Sequence, residues 1–143
     1  MSGNWYADVL KFHETFGHTV HDKPQIPKRS DVLLRAVVTR DEFNNEYLPA
    51  LLHGDIKHIA DDGIDLIYFI IGTFITYGID PQPIWDAVQA ANMAKLPPNG
   101  IPLKDQFGKT MKPEGWQPPD IAKLLRDQGL LDHQRLSNPI VLV

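Results

Sequence analysis

The 143-residue sequence predicts an all-α domain built on a four-helix core. Three observations carry that prediction. Apolar residues recur at helical spacing in Trp5 to Phe16, Leu33 to Leu51 and Ile59 to Ile71. Capping and stopping residues separate these stretches: Asn4, Asp55, Asp80 and Asp120 at starts, Gly17, Gly54, Gly78 and Gly129 at ends. No stretch before the tail N-P-I-V-L-V (138–143) alternates strongly as a half-buried strand does.

The first helix should run from Asn4, its cap, to Phe16, with Trp5, Val9, Leu10, Phe12 and Phe16 on its apolar side. His18 to Lys28 holds Pro24 and Pro27 and reads as an extended loop. Ser30 is placed to cap a second helix from about Asp31 to Leu52. Pro49 falls inside it and predicts a kink or an early end. Gly54-Asp55 makes a turn and a cap, and a third helix follows to about Tyr77. Asp80-Pro81 opens a fourth, with proline at the first helical position, ending near Lys95. Leu96 to Pro118 is irregular, rich in proline and glycine. Pro119-Asp120 starts a short helix to about Gln128, and 130–143 form a tail, either docked as a strand or loose. The whole reads as one domain, 1–143.

Composition narrows the function. There is no cysteine, so disulfides and thiolate metal sites are excluded. The net charge is -4 with no Lys/Arg block, so there is no footprint for duplex nucleic acid. The longest apolar run, Leu66 to Ile79, is too short to span a bilayer and contains Gly72, Thr73, Thr76 and Gly78. The start M-S-G-N-W-Y has no signal-peptide pattern, and a cytoplasmic protein without membrane or nucleic-acid partners is expected.

The chemistry centres on Asp41 to Asp65. Glu46 lies eight residues before Gly54 and Asp62 eight after; Glu42 lies twelve before and Asp65 eleven after. In a helical hairpin these pairs stand level. Glu42/Glu46 and Asp62/Asp65 are each spaced to share one helical face. Read alone, Glu42 and Glu46 suit a solvated acidic stripe. The helix carrying Asp62 and Asp65 is apolar nearly all round (Ile59, Ile64, Leu66, Ile67, Phe69, Ile70, Ile71), so both aspartates are expected at least partly inside. Carboxylates buried without partners are costly. Four carboxylates with no thiol point to Mg²⁺ or Mn²⁺ held by Glu42, Glu46, Asp62 and Asp65. Gly63, between the aspartates, suggests the close approach of another backbone or of a ligand.

These residues resemble those of the all-α nucleoside triphosphate pyrophosphatases, whose pattern is E-E-x-x-E followed, 12–28 residues on, by E-x-x-D. Here the runs are D41-E42-x-x-N45-E46 and D62-x-x-D65. F-H-E-T-F-G (12–17), A-N-M-A-K-L (91–96) and G-K-T-M-K-P-E-G-W-Q-P-P-D-I (108–121) are similar to the MazG-like group. The resemblance covers most of residues 5–121. It implies hydrolysis of a nucleoside triphosphate to monophosphate and diphosphate, in nucleotide-pool sanitation or in supplying a purine deoxynucleotide. It also implies a homodimer or dimer of dimers.

Under it, Asp41 and Glu42 are candidate catalytic residues, though Asp41 equally suits a surface acid. Lys95 and Lys109 would neutralise phosphate; Lys112 reads as a solvated charge. Asn92 would bond sugar or base, or serve packing. Trp116 would stack on a base or pin its loop, and His13 would contact the base or be structural. His53 and His58 flank the turn and are not expected as ligands. The chain departs from the pattern at Asp41, Asn45 and Asp62, and at Gln89 and Ala91, where a histidine and a serine are usual. Asn45, a poor Mg²⁺ ligand in place of glutamate, keeps two other readings open: a nucleotide-binding module without turnover, and a helical interaction domain with a solvated acidic face.

Overall fold

A computed structural model describes residues 3–132 and 134–143. Six α-helices follow one another: α1 Trp5–Phe16, α2 Arg29–Asp41, α3 Leu48–His53, α4 Ile56–Tyr77, α5 Pro81–Met93 and α6 Ile121–Asp127. A π-helical turn, Glu42–Tyr47, joins α2 to α3 without a break. Among the described residues there is no strand, only an isolated bridge between Lys104 and Thr110. The all-α class expected from the sequence is the observed one.

Local chemistry accounts for most boundaries. The Asn4 side chain accepts from the Ala7 N–H at 3.1 Å, and Gly17 closes α1 in the left-handed region. Asp80 and Asp120 accept from Gln82 and Lys123 N–H groups at the starts of α5 and α6. The second helix differs from expectation. It starts at Arg29 after Lys28, without a side-chain cap, so Ser30 sits inside the first turn. The backbone is still extended at Lys28 (φ -59°, ψ 151°) and turns straight into helix one residue earlier than Ser30 could cap it. Pro49 acts upstream of itself. It has no N–H to offer the Asn45 carbonyl and its ring crowds that group. The preceding turn loosens, and Leu48 N–H bonds five residues back to Phe43 O.

Helix α4 is the centre of the molecule. It packs against α1, α2, the π-turn and α3. Val9, Ala50 and Ile75 are buried there together with His13, Arg35 and Thr76. At its end Gly78 adopts φ 69°, and a Cβ there would overlap the Lys23 carbonyl. The loop 18–28 closes on the same end, with His21 N–H bonded to Ile75 O and Gln25 N–H to Tyr77 O.

The expectation that α4 is covered nearly all round is corrected. Ile64, Ile67, Ile70 and Asp65 are exposed. The fourth predicted helix, α5, makes its main helical contact with α6, and Gln128 ties the two by accepting from Asp80 N–H and donating to Asp80 O. A groove of about 510 Å³ therefore runs between α4 and α5, with Trp5 and Trp85 beside Ile67, Ile70 and Phe74. No helix among the described residues is long and apolar enough to cross a membrane.

Candidate functional site

The hairpin forms as its spacing requires. Gly54 takes φ 65° and ends α3. The Asp55 carboxylate accepts from the His58 N–H at 3.2 Å, starting α4, and contacts the His58 ring at 2.7 Å. The π-turn then runs back along α4. This sets Glu42 against acids from both arms. Its carboxyl is pushed above the usual range, first by burial and then by Asp65, Asp62, Glu46 and Asp61. The charges that raise it are all carboxylates.

Two hollows flank the Asn45–Glu46 ridge. One, of about 260 Å³, is lined by Val38, Asp41, Glu42, Asn45, Glu46 and Phe69. The other, of about 160 Å³, lies towards the turn and includes Glu46, His53, Asp55, His58 and Asp62. Asp62 is buried, as expected; Asp65, expected partly inside, is exposed, since none of the described residues covers that face of α4. Gly63 is explained by a side chain rather than a backbone or ligand: a Cβ there would stand 3.1 Å from the Tyr47 ring.

The donor set suits a hard divalent cation, being all carboxylate oxygen, and a cation would relieve the crowding on Glu42. As the side chains stand, no three His, Asp or Glu groups among the described residues converge on a single ion.

The remaining candidates gather elsewhere. Trp116 Nε1–H donates to Ala91 O at 2.6 Å, and the Lys95 and Lys112 ammonium groups lie 5.6 and 4.7 Å from its ring centre. Lys95 Nζ also donates to Asn92 Oδ1 at 2.8 Å. Lys109 sits in a tight turn where its N–H donates to Asp105 Oδ1 at 2.9 Å. Among the described residues none of these hydrogen bonds or ring contacts reaches the carboxylate hairpin. His13 is 2 % exposed, in the core beside Arg35 and Gly72.

Two residues near the site escape sequence reasoning. Asp61 acts on Glu42 although it is one position off the shared face; the Asp61-Asp62 doublet is its only signal. Arg40 clasps Asp41, with Nε and Nη2 each 2.8 Å from Oδ1. Nothing in the spacing announces that pair, because adjacent helical residues do not usually face each other.

Residues 9–92 match the model of the phosphoribosyl-ATP pyrophosphohydrolase family, over more than half of the chain. The chain belongs to that family. Its members place it among all-α hydrolases acting on nucleotide pyrophosphate bonds. A crystal structure from Exiguobacterium sp. 255-15, described as a "putative NTP pyrophosphohydrolase", is 30 % identical. That similarity covers 90 % of this chain and 95 % of the other, with a TM-score of 0.43, so the family rests on the sequence match. No curated protein matches significantly.

Proposed function

We propose that the chain is a MazG-like, Mg²⁺- or Mn²⁺-dependent (deoxy)nucleoside triphosphate pyrophosphohydrolase of the cytoplasm that releases monophosphate and diphosphate. The observation that carries this reading is the pair of hollows that flank Glu46, one lined by Asp41 and Glu42 and the other by Asp55 and Asp62. Carboxylate oxygens suit a hard divalent ion, towards which these side chains would have to turn inward. Glu42, Glu46, Asp62 and Asp65 would hold it, and when bound it would screen the polyphosphate charge and acidify a water.

The chain's own residues supply the rest. Asp41, fixed by Arg40, orients the attacking water or takes its proton. Lys95, steadied by Asn92, and Lys109 neutralise the phosphates and the leaving diphosphate. Trp116 holds the loop that carries Lys109 and Lys112 against the end of α5. His13, buried in the core and bonded to Thr19 O, takes the structural role rather than a base contact. The uncovered face of α4 and the two exposed tryptophans support assembly as a homodimer or dimer of dimers.

The test is a panel of nucleoside and deoxynucleoside triphosphates with Mg²⁺ or Mn²⁺, read by diphosphate and monophosphate release. Turnover of at least one substrate is expected. In Asp65→Asn it should drop about 100-fold or more with the fold intact. A fully active Asp65→Asn removes the hairpin as the site. Asn45, in place of the family's glutamate, favours one second reading: nucleotide and metal are bound without turnover. Metal-dependent thermal stabilisation in the absence of any product would select it.

A further inference from the structure

The segment 134–143 lies along α2, and three hydrogen bonds give its direction. Ile26 N–H donates to Gln134 Oε1 at 2.9 Å, Arg29 Nη1 donates to Asn138 O at 2.5 Å, and Arg40 Nη1 reaches Val143 O at 3.4 Å. Both sets of positions increase together, so the segment runs parallel to the helix. The lengths agree as well. Arg29 to Arg40 spans about 16.5 Å of helix at a rise of ~1.5 Å per residue. Asn138 to Val143 spans about 16.5 Å of extended chain at ~3.3 Å per residue. The segment thus keeps pace with the helix between its two arginine partners. Ile140 and Leu142 are half-buried while Val141 and Val143 are exposed, the alternation of an extended chain resting on one face.

Its far anchor is the arginine that clasps Asp41. Arg40 uses Nε and Nη2 on Asp41 Oδ1 and Nη1 on Val143 O, so one planar guanidinium is fixed from two sides. Asp41 opens onto the hollow shared by Glu42, Asn45 and Glu46. An exposed ion pair alone holds its partners weakly. Arg40 and Asp41 are both substantially solvent-accessible, with side-chain exposures of 36 % and 47 %. The third contact, at 3.4 Å to Val143 O, adds a second direction of restraint to the pair.

We propose that segment 134–143 is a strap that fixes Arg40 and, through it, the carboxylate of Asp41 at the rim of the site, which makes Arg40 a positioning residue. The role in turnover rests on the pyrophosphohydrolase reading; the strap itself does not.

The full-length chain is compared with Ile140→Ser/Leu142→Ser, Arg40→Gln and Arg40→Lys. The first readout is amide hydrogen exchange across 38–46 without metal or nucleotide. Exchange about tenfold faster in the double variant and in Arg40→Gln is expected, and unchanged exchange in both overturns the strap. The second readout is steady-state hydrolysis of the best triphosphate substrate. A roughly tenfold fall in kcat with KM within about twofold is expected in both, with partial recovery in Arg40→Lys. A raised KM with unchanged kcat overturns the positioning role and marks Arg40 as a substrate contact. If the native chain hydrolyses nothing, the pyrophosphohydrolase reading falls and the exchange result still decides the strap. Should the double variant fail to fold, Arg40→Gln alone carries both readouts.

Discussion

His13 and Arg35 are unusual tenants of a small core, at 2 % and 8 % exposure. Among the described residues Arg35 meets no carboxylate at hydrogen-bond distance. Its Nη2 donates to Phe69 O at 2.7 Å and its Nε to Thr73 Oγ1 at 3.2 Å. Burial lowers its pKa, and Asp31 partly restores it. Gly72 makes the room, since a Cβ there would stand 2.7 Å from Arg35 Nη2 and 2.8 Å from His13 Nε2. His13 is held below its ordinary 6.5, first by burial; the bond to Thr19 O opposes this, and Arg35 and His18 add to it. The sign of the linkage follows. Below about 6.5 the unfolded chain takes up a proton that the folded chain refuses, so stability is full above that pH and is lost as the pH falls towards the folded value. The difference between the native chain and His13→Gln in denaturant titrations from pH 7.5 to 5 should show this decline, at most about 1.4 kcal/mol per pH unit for one group. His13→Gln should be less stable at pH 7.5 and show a flatter profile. An unchanged slope in that variant places the proton elsewhere.

Among the elements, the π-turn and the loop after α5 shape the site most. A regular helix through Glu42–Tyr47 would advance by 3.6 residues per turn; the wider turn alters which side chains face α4. Pro49 provokes that widening, so a residue outside the carboxylate pattern helps to aim it. The loop 96–118 has little packing of its own and many exposed apolar groups, Phe107 among them at 85 %. It is fastened by Trp116 to the Ala91 carbonyl and by the bridge of Lys104 with Thr110. Trp116→Phe keeps a smaller aromatic ring and removes the N–H, leaving the Ala91 carbonyl one donor short. The expected cost is about 1 kcal/mol, local to the loop. Hydrogen exchange should rise across 103–116 while α1 to α4 keep their protection; a uniform loss of protection would contradict a local fastening role.

At the scale of the molecule, the open face of α4 is the main unfinished feature. Trp5, Ile64, Ile67, Ile70 and Trp85 leave apolar surface in water along a continuous groove. Burying one such side chain against a second copy is worth about 1.5–3 kcal/mol. The native chain is expected to sediment as a dimer or larger, and Ile67→Lys to shift it to the monomer with helical content unchanged. A native monomer at micromolar concentration would refute self-association through this face. Asp65 lies on the same helix, so an assembled neighbour would alter its exposure, and the dissociated variant should lose turnover together with assembly.

Short-range signals carried most of the helical outline into the sequence. Asn4, Gly17, Gly54, Asp55, Gly78, Asp80, Asp120 and Gly129 act through neighbours within a turn, and the helices start and stop where they stand. The symmetry of Glu42, Glu46, Asp62 and Asp65 about Gly54 was equally legible, because a hairpin converts sequence distance into height. Other features needed the folded chain. Ser30 lost its capping role to the extended backbone after Pro27. Gly63 yields to the Tyr47 ring, sixteen residues away. Arg40 meets both its immediate neighbour and residue 143. The apolar circumference of α4 predicted burial that this chain alone does not provide. Sequence by itself determined the helices and the hairpin turn that joins α3 to α4, since caps and periodicity are local. Tertiary structure decided which of the carboxylates is buried, clasped or left open, because that depends on surfaces brought together from far apart.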